Sequence, residues 1–261
     1  MQYIDCKKYA NEILEEVKSV PNKKSLLILT VGNDMASQSY VKGKIKDCEY
    51  CGVPYEHVKI EEGFSAEEEL NYRIDCGNNC DQVGGIIVQL PLPKGMDEKA
   101  FVNRVLVTKD VDGFKTNSPF KHCTPEGIMY ILEKEIGDLT GKRALVIGRG
   151  KLVGEPIAKM LLDANCTVTV AHSKTADLNF HLNDAEIIIS AVGRPNTVNL
   201  GRCYNAKIVI DVGVNRDSNG KLCGDCYNFM DTNSGLKVTP VPGGIGLMTR
   251  AMLMKHMAKN N

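Results

Sequence analysis

The stretch ALVIGRGKLVG, residues 144–154, combines an apolar strand, a glycine-rich turn and the start of a helix. Glycines at Gly148, Gly150 and Gly154 permit a tight turn, and they let backbone N–H groups approach a pyrophosphate at a helix N-terminus. The spacing GxGxxxG is a weak signal alone, because a plain strand-to-helix turn has the same residues. With a strand before it and a helix after it, the stretch predicts a dinucleotide-binding turn.

The strand that follows this turn indicates which dinucleotide is bound. An NAD site usually has Asp or Glu at the end of this strand, to hold the ribose 2′-hydroxyl. Here residues 167–171 run instead into His172-Ser173-Lys174-Thr175, which has no carboxylate. Arg149, Ser173 and Lys174 could donate to a 2′-phosphate. The alternative is that they are solvated loop residues without a ligand. The pattern favours NADP over NAD.

The rest of the chain alternates between strand and helix patterns, which predicts parallel sheets with helices on their faces. The sequence lacks an internal repeat of fixed period. The predicted strands are residues 26–31, 53–60, 85–90, 143–147, 167–171, 187–191 and 208–212, and the predicted helices are 4–18, 37–50, 65–78, 154–164, 246–260 and one that begins at residue 124. We therefore predict an α/β protein with two α/β units joined near residue 120.

The composition excludes some classes of partner. The 261 residues include 32 basic and 32 acidic side chains, and this balance argues against nucleic acid or a membrane surface as a partner. No apolar run approaches the roughly 18 residues of a membrane span. Charged residues begin at Asp5, and the N-terminal stretch lacks the apolar core of a signal peptide. We predict a cytoplasmic protein.

Ten cysteines are many for a cytoplasmic chain, and three pairs are closely spaced: Cys48/Cys51, Cys76/Cys80 and Cys223/Cys226. A structural zinc site needs four ligands that converge in space, and these spacings do not favour one. We predict reduced thiols that act as small apolar residues, and no metal.

Four polar residues of the first unit are candidates for chemistry. Lys44 follows Tyr40 by four residues and shares its helix face, although a lysine there is usually solvated. Gln89 lies within an apolar strand pattern, where its amide is at an edge, is satisfied in the core, or is functional. Asp112 lies in a turn-forming loop, where it could simply cap its own backbone.

Six longer motifs resemble those of a known enzyme family. The chain resembles the methylenetetrahydrofolate dehydrogenase/cyclohydrolase family over nearly its whole length and in the family's order. The motifs are long and specific. They are VGNDMASQSYVKGKIKDCEYCGV (31–53), GGIIVQLPLP (84–93), KDVDGF (109–114), CTPEGI (123–128), VIGRGKLVGEP (146–156) and PVPGGIGLMT (240–249).

The resemblance implies an N-terminal folate-binding catalytic domain (1–120) and a C-terminal Rossmann-type NAD(P)-binding domain (121–246), with a cleft between them. The final helix, 247–261, is expected to pack back on the first domain. The family is usually dimeric, which implies a homodimer. The sequence departs from the family pattern in a shorter 113–123 segment and at Gly150, Leu247 and His122, which replace a serine and two prolines.

The resemblance also assigns residues to functions. The family's catalytic and folate-binding residues match Tyr40, Lys44, Gln89 and Asp112. Its cofactor-binding residues match Gly148, Arg149, Gly150, Ser173 and Val214, with His172 beside them and with Thr124 and Thr249 as threonines that line the cleft.

The implied activity is NADP-dependent oxidation of methylenetetrahydrofolate, followed by hydrolysis of methenyltetrahydrofolate to formyltetrahydrofolate. Tyr40 would stack on the pterin, Asp112 would accept its N–H groups, Lys44 would move the proton of hydrolysis and Gln89 would hold the lysine. Two other functions stay open: an enzyme with one of the two activities, and a dinucleotide-binding regulator without activity.

Overall fold

A computed structural model describes residues 1–228 and 235–260. Two short 3-10 turns, Val107–Lys109 and Leu200–Arg202, accompany the regular elements. The helices are α1 Cys6–Lys18, α2 Met35–Cys51, α3 Ala66–Asn79, α4 Glu98–Arg104, α5 Cys123–Glu135, α6 Gly154–Asp163, α7 Leu178–Asp184 and α8 Ile245–Lys259. The strands are β1 Gln2–Tyr3, β2 Ser25–Val31, β3 Tyr55–Ile60, β4 Val83–Val88, β5 Arg143–Ile147, β6 Thr167–Ala171, β7 Ile187–Ser190, β8 Val198–Asn199, β9 Ile208–Asp211, β10 Asn215–Arg216, β11 Leu222–Cys223, β12 Cys226–Tyr227 and β13 Lys237–Val238.

The chain forms two compact units, and each contains a terminal segment. One unit, the sheet-rich unit, comprises residues 1–10 and 124–249; the other, the lysine unit, comprises residues 11–123 and the chain from residue 250. The division differs from the predicted 1–120 boundary in the first ten residues. The reason is pairing: β1 adds to the edge of the large sheet beside β13, where the Gln2 N–H donates to the Leu236 carbonyl at 2.8 Å.

The lysine unit contains a three-stranded parallel sheet in the order β3-β2-β4. Helix α3 packs on this sheet through Leu70 and Ile74, which are fully buried among the apolar residues of β2 and β4. Helix α2 begins where the Asp34 carboxylate accepts the Ser37 N–H at 2.7 Å. It ends at Gly52, whose φ of 64° closes the left-handed cap that glycine favours. The predicted helix over 37–50 is thus confirmed and slightly longer.

Strand β4 ends earlier than the sequence predicts. The prediction placed residues 85–90 in one strand, but the strand stops at Val88, so Gln89 lies just beyond its carboxyl end. Pro91 has no N–H to continue a ladder, which explains the early end. The position matters because β2 and β4 run parallel, and loops that leave the carboxyl ends of parallel strands meet at one edge of the sheet.

The sheet-rich unit contains six parallel strands in the order β1-β13-β9-β7-β5-β6. Strands β5, β7 and β9 are almost entirely buried, as expected for the centre of a parallel sheet. Strand β6 lies at the edge and is mostly exposed. The α/β fold class with parallel sheets is therefore confirmed.

Two helices were not predicted. Helices α4 and α7 have seven residues each, which is too short for a clear helical period. Both are capped by aspartates: Asp97 accepts the N–H groups of Lys99 and Ala100, and Asp177 accepts that of Phe180. Among the described residues, none of the helices has the length and apolar character needed to cross a membrane.

Candidate active site

Lys44 is buried within the lysine unit. Its side chain extends from α2, and the residue is only 4% exposed, so a solvated position is wrong for it. Its Nζ donates to Gln89 Oε1 at 3.1 Å and lies 5.2 Å from the centroid of the Tyr40 ring. The ring is one helical turn before the lysine, as the four-residue spacing predicted. An amine in this position is held by an amide oxygen and an aromatic face.

Gln89 is oriented by three hydrogen bonds. Its backbone N–H donates to Leu29 O at 2.9 Å, which fixes the residue against β2. Its side-chain Nε2 donates to Leu90 O at 2.7 Å, so that Oε1 is left to face Lys44. The amide is therefore satisfied, and it also positions the lysine.

The loop 109–115 contains two aspartates with different environments. The Asp110 carboxylate caps the loop, because it accepts the N–H groups of Phe114 at 3.2 Å and Lys115 at 2.8 Å. Asp112 is the second, and burial raises the pKa of its carboxyl group while the Lys44 ammonium opposes that rise. The capping role considered for Asp112 thus belongs to Asp110, and Asp112 lies within electrostatic range of Lys44.

The glycine turn between β5 and α6 is closely packed. Gly148 has a φ of 109°, and a Cβ there would overlap the carbonyl oxygen of Ala191. A Cβ on Gly154 would overlap the carbonyl oxygen of Gly148. Gly150 has open space around it, so the turn does not require glycine at this position. The backbone of residues 148–154 therefore forms the type of cradle that a dinucleotide pyrophosphate needs, and the residues present fit one.

The predicted 2′-phosphate residues leave neighbouring strands at equivalent positions. Ile147 pairs with Ala171, so Arg149 and Ser173 each lie two residues past paired strand ends. Arg149, Ser173 and Lys174 are all exposed. The loop is shaped by His172, whose Nδ1 accepts the Lys174 N–H at 3.2 Å.

The three other predicted cofactor residues also lie in the sheet-rich unit. Val214 is 71% exposed, on the segment that follows β9. The hydroxyl groups of Thr124 and Thr249 are 2.8 Å apart, and the Thr249 hydroxyl also donates to Ile245 O at 3.1 Å. These two threonines are therefore hydrogen-bonded to each other.

Sequence reasoning missed two buried carboxylates of the sheet-rich unit, Asp211 and Asp225. Asp211 ends strand β9, and Asp225 is fully buried before β12. Burial, opposed by hydrogen bonds from the Asp225 and Cys226 N–H groups, raises the pKa of Asp211. The apolar run 208–210 that ends in a carboxylate could have signalled Asp211. No local pattern signals Asp225, because its partners lie far along the chain.

All ten cysteines are free thiols in the structure. Burial raises the pKa of the Cys6, Cys48 and Cys203 thiols to about 12, so they stay protonated and unreactive. Within residues 1–228 and 235–260, no group of histidine, cysteine and acidic side chains is arranged to hold a metal ion.

A parallel sheet with a glycine cradle after its buried strand β5, in one chain with a buried lysine held by an amide, defines a nucleotide-linked α/β enzyme. Family models identify it further. Residues 4–112 match the tetrahydrofolate dehydrogenase/cyclohydrolase catalytic domain, and residues 122–261 match the NAD(P)-binding domain of the same family. The chain belongs to the tetrahydrofolate dehydrogenase/cyclohydrolase family, as the resemblance implied.

Individual relatives agree with this assignment. The bifunctional protein FolD of Campylobacter hominis is 42% identical over 276 residues, which cover all of this chain and 97% of that protein. The crystal structure of the bifunctional FolD enzyme of Campylobacter jejuni is 38% identical, with a TM-score of 0.93 over 100% of this chain and 98% of that one. The Trypanosoma brucei enzyme, solved with NADP and an inhibitor, is 30% identical, with a TM-score of 0.89 over 98% and 97% of the two chains.

Proposed function

We propose that this chain oxidises methylenetetrahydrofolate with NADP and hydrolyses the resulting methenyltetrahydrofolate to formyltetrahydrofolate. The observation that carries the proposal is the buried Lys44 amine, held by Gln89 Oε1 and facing the Tyr40 ring. A lysine with only a structural function would be expected to pair with a carboxylate when buried. Among the described residues, Lys44 has no such ion pair.

The lysine unit supplies the residues that bind folate and move a proton. Tyr40 offers a flat aromatic face on which a pterin ring can stack. Asp112 accepts hydrogen bonds from the pterin amino and ring N–H groups, and these donors would offset the burial that raises its pKa. When water attacks the methenyl carbon, Lys44 Nζ takes one of the protons of the water. One of the two carbon–nitrogen bonds of the bridge then breaks, the other water proton passes to the nitrogen that leaves, and the formyl group stays on the second nitrogen. Gln89 keeps Nζ in place during the transfer.

The sheet-rich unit supplies the cofactor site. Arg149 and Gly150 offer backbone donors to the pyrophosphate, and Gly148, whose own N–H donates to the Ala171 carbonyl at 2.9 Å, provides the close turn. Arg149, Ser173 and Lys174 offer donors to a 2′-phosphate. His172 shapes that loop, and Val214, Thr124 and Thr249 are proposed to line the remainder of the site. When NADP is bound, its nicotinamide supplies the hydride acceptor. The protein's contribution to this step is to position the two reactants.

The same proposal includes the setting of the enzyme. We assign residues 1–120 and 247–261 to folate and residues 121–246 to NADP, in one-carbon metabolism that supplies purine biosynthesis. Ten unpaired thiols fit a reducing cytoplasm, and the equal numbers of acidic and basic residues fit a small-molecule substrate rather than nucleic acid or a membrane. The exposed edge of β6 offers a surface for a homodimer.

Steady-state assays of both reactions test the proposal. Methylenetetrahydrofolate should be oxidised faster, at a given cofactor concentration, with NADP than with NAD, and methenyltetrahydrofolate should be hydrolysed above the uncatalysed rate. An enzyme with one activity would show only one of these rates. A regulator would bind NADP and show neither, and equal use of NAD and NADP would contradict the cofactor assignment.

A further inference from the structure

The sheet-rich unit contains an unusually well-bonded carboxylate. Asp225 Oδ2 accepts the Ser190 hydroxyl at 3.0 Å and the N–H groups of Val192 at 3.0 Å and Gly193 at 3.3 Å. Asp225 Oδ1 accepts the Arg194 N–H and the Asn215 Nδ2, both at 2.9 Å. A buried carboxylate has about four good acceptor positions, so this one is saturated by protein donors.

A second carboxylate holds the first. Asp211 Oδ1 accepts the N–H groups of Asp225 at 2.9 Å and Gly213 at 3.0 Å, and its Oδ2 accepts that of Cys226 at 2.9 Å. A Cβ on Gly213 would overlap Asp225 Oδ1, and one on Gly224 would overlap Asp211 Oδ2, so backbone packs directly on both groups. We call Asp211 and Asp225 the carboxylate pair.

The carboxylate pair fixes the two segments that leave β7 and β9. Residues 191–194 follow β7, and Ala191 O lies against Gly148 of the glycine turn. Residues 212–215 follow β9 and carry Val214. Both segments leave carboxyl ends of parallel strands, which is the edge where dinucleotides bind in such sheets.

Peptide geometry determines which groups the 191–194 segment can offer. In a trans peptide the N–H and the preceding C=O point in opposite directions. The N–H groups of Val192, Gly193 and Arg194 all point at Asp225, so the carbonyl groups before them point away from it. The backbone of this segment therefore presents acceptors and not donors, which suits an amide group better than a phosphate.

Strand order indicates which half of NADP the segments face. In the order β9-β7-β5-β6, the glycine turn follows β5 and the Ser173 loop follows β6. If the 2′-phosphate lies at β6 and the pyrophosphate at β5, the nicotinamide half extends over β7 and β9. We propose that Asp225, held by Asp211, is a positioning residue for the nicotinamide half of NADP. The inference rests on the proposed cofactor site.

The test compares NADP with 2′,5′-ADP, which has the adenosine half and lacks nicotinamide, by calorimetric titration of the full-length protein. Asp225→Asn replaces an acceptor oxygen by an NH₂ group that faces donors. The segments after β7 and β9 should then shift, and misplacement of about one hydrogen bond to the nicotinamide half should raise the Kd for NADP by about tenfold or more. The Kd for 2′,5′-ADP and the rate of methenyltetrahydrofolate hydrolysis should change by less than about twofold, since neither involves the nicotinamide half.

Two further variants keep the test decisive. Asn215→Ala removes one donor to Asp225 from the partly buried start of β10, and it should raise the Kd for NADP by a smaller factor. This variant replaces Asp225→Asn in the test if Asp225→Asn does not fold. Asp217→Asn is the matched control, because Asp217 accepts two backbone N–H groups in an exposed hairpin and should leave both affinities unchanged.

The outcomes separate this inference from the proposed function. Wild-type NADP affinity in folded Asp225→Asn and Asn215→Ala proteins would overturn the inference alone, as would equal weakening of NADP and 2′,5′-ADP. Failure of the wild-type protein to bind either ligand would overturn the proposed function, and the inference with it.

Discussion

The two units hold their buried charges in opposite ways. In the lysine unit, the Lys44 ammonium can donate three hydrogen bonds, and among the described residues it has one acceptor, Gln89. In the sheet-rich unit, the Asp225 carboxylate accepts five hydrogen bonds. A group with spare bonding capacity can form a further hydrogen bond to a substrate or water, whereas a saturated carboxylate is held in place by its donors and holds the segments that carry them. The contrast indicates that the lysine unit carries the chemistry and that the sheet-rich unit places the cofactor.

The largest effect is expected when the Lys44 amine of the lysine unit is removed. Lys44→Met keeps an unbranched side chain in the buried position and removes the proposed proton acceptor. Methenyltetrahydrofolate hydrolysis should fall by about 10²–10⁴-fold, the usual contribution of a general base. Folate and NADP affinities should remain near those of the wild type.

The matched control for this variant is Lys42→Met, which changes an exposed lysine of the same helix and should leave hydrolysis intact. Hydrolysis by Lys44→Met at the wild-type rate would show that another group moves the proton. Steady-state absorbance assays of the methenyl group measure both variants.

The next largest effect is expected when a cofactor-site residue of the sheet-rich unit is changed. Arg149→Ala removes one of the donors proposed for the 2′-phosphate, and charge-assisted hydrogen bonds contribute roughly 1.5–3 kcal/mol each. NADP affinity should therefore fall by about ten- to a hundredfold, since 1.4 kcal/mol is tenfold. NAD has no 2′-phosphate, so its affinity should change much less, and hydrolysis should not change.

Binding of both cofactors, measured with and without inorganic phosphate, checks this expectation. Phosphate matters because the free ion could occupy the same pocket in an enzyme that uses NAD. The control is Arg202→Ala, an exposed arginine elsewhere in the sheet-rich unit. A uniform loss of NAD and NADP affinity would contradict a specific contact with the 2′-phosphate.

A smaller effect is expected at Gln89. Gln89→Leu removes the one hydrogen-bond acceptor assigned to Lys44 but leaves the amine in the site. Hydrolysis should fall by about tenfold, as expected from loss of one hydrogen bond to a charged group. Gln82→Leu, an exposed glutamine before β4, is the control. A loss as large as that of Lys44→Met would show that Gln89 itself takes part in the proton transfer.

The elements predicted best from sequence are those with clear breaks on both sides. Strands β5 and β6 have the predicted bounds, because each is a short apolar or β-branched run between clear breaks. The two-residue strands β1, β8 and β10 to β13 were not predicted, since two residues carry no period. The pairing of β1 with β13 joins residues more than 200 positions apart, so it was also beyond local patterns.

The contacts of the candidate site also differ in how far the sequence could predict them. Tyr40 and Lys44 share a helix face by their spacing, and this proximity was predictable. The contact of Lys44 with Gln89 joins a helix and a strand end 45 residues apart, and it was available only through the family resemblance. The donors to Asp225 come from segments 10 to 35 residues away, and the carboxylate pair was therefore missed.

The smallest effect concerns Glu135, which ties the N-terminal residues to the rest of the sheet-rich unit. Its carboxylate accepts the Tyr9 hydroxyl at 2.7 Å and the Lys237 ammonium at 2.7 Å. Partial burial alone would raise the pKa of Glu135, but the hydrogen bonds from Lys237 and Tyr9 together hold it below its usual value. A lowered pKa means that the ionised form stabilises the fold above the unfolded-state pKa of about 4.3, and that this stabilisation is lost as the pH falls through the folded-state pKa.

Glu135→Gln should therefore reduce the free energy of unfolding by about 1 kcal/mol at pH 7, because the charge-assisted bond to Lys237 is weakened. The difference between wild type and variant should shrink as the pH falls below about 4, because the wild-type carboxylate is then protonated as well. Other acidic groups titrate in the same range, but they are common to both proteins and cancel in the difference. Urea unfolding at a series of pH values measures it, with Glu133→Gln on the exposed face of α5 as the control. A difference that stays constant from pH 7 to pH 3 would mean that the Glu135 charge does not stabilise the terminal segment.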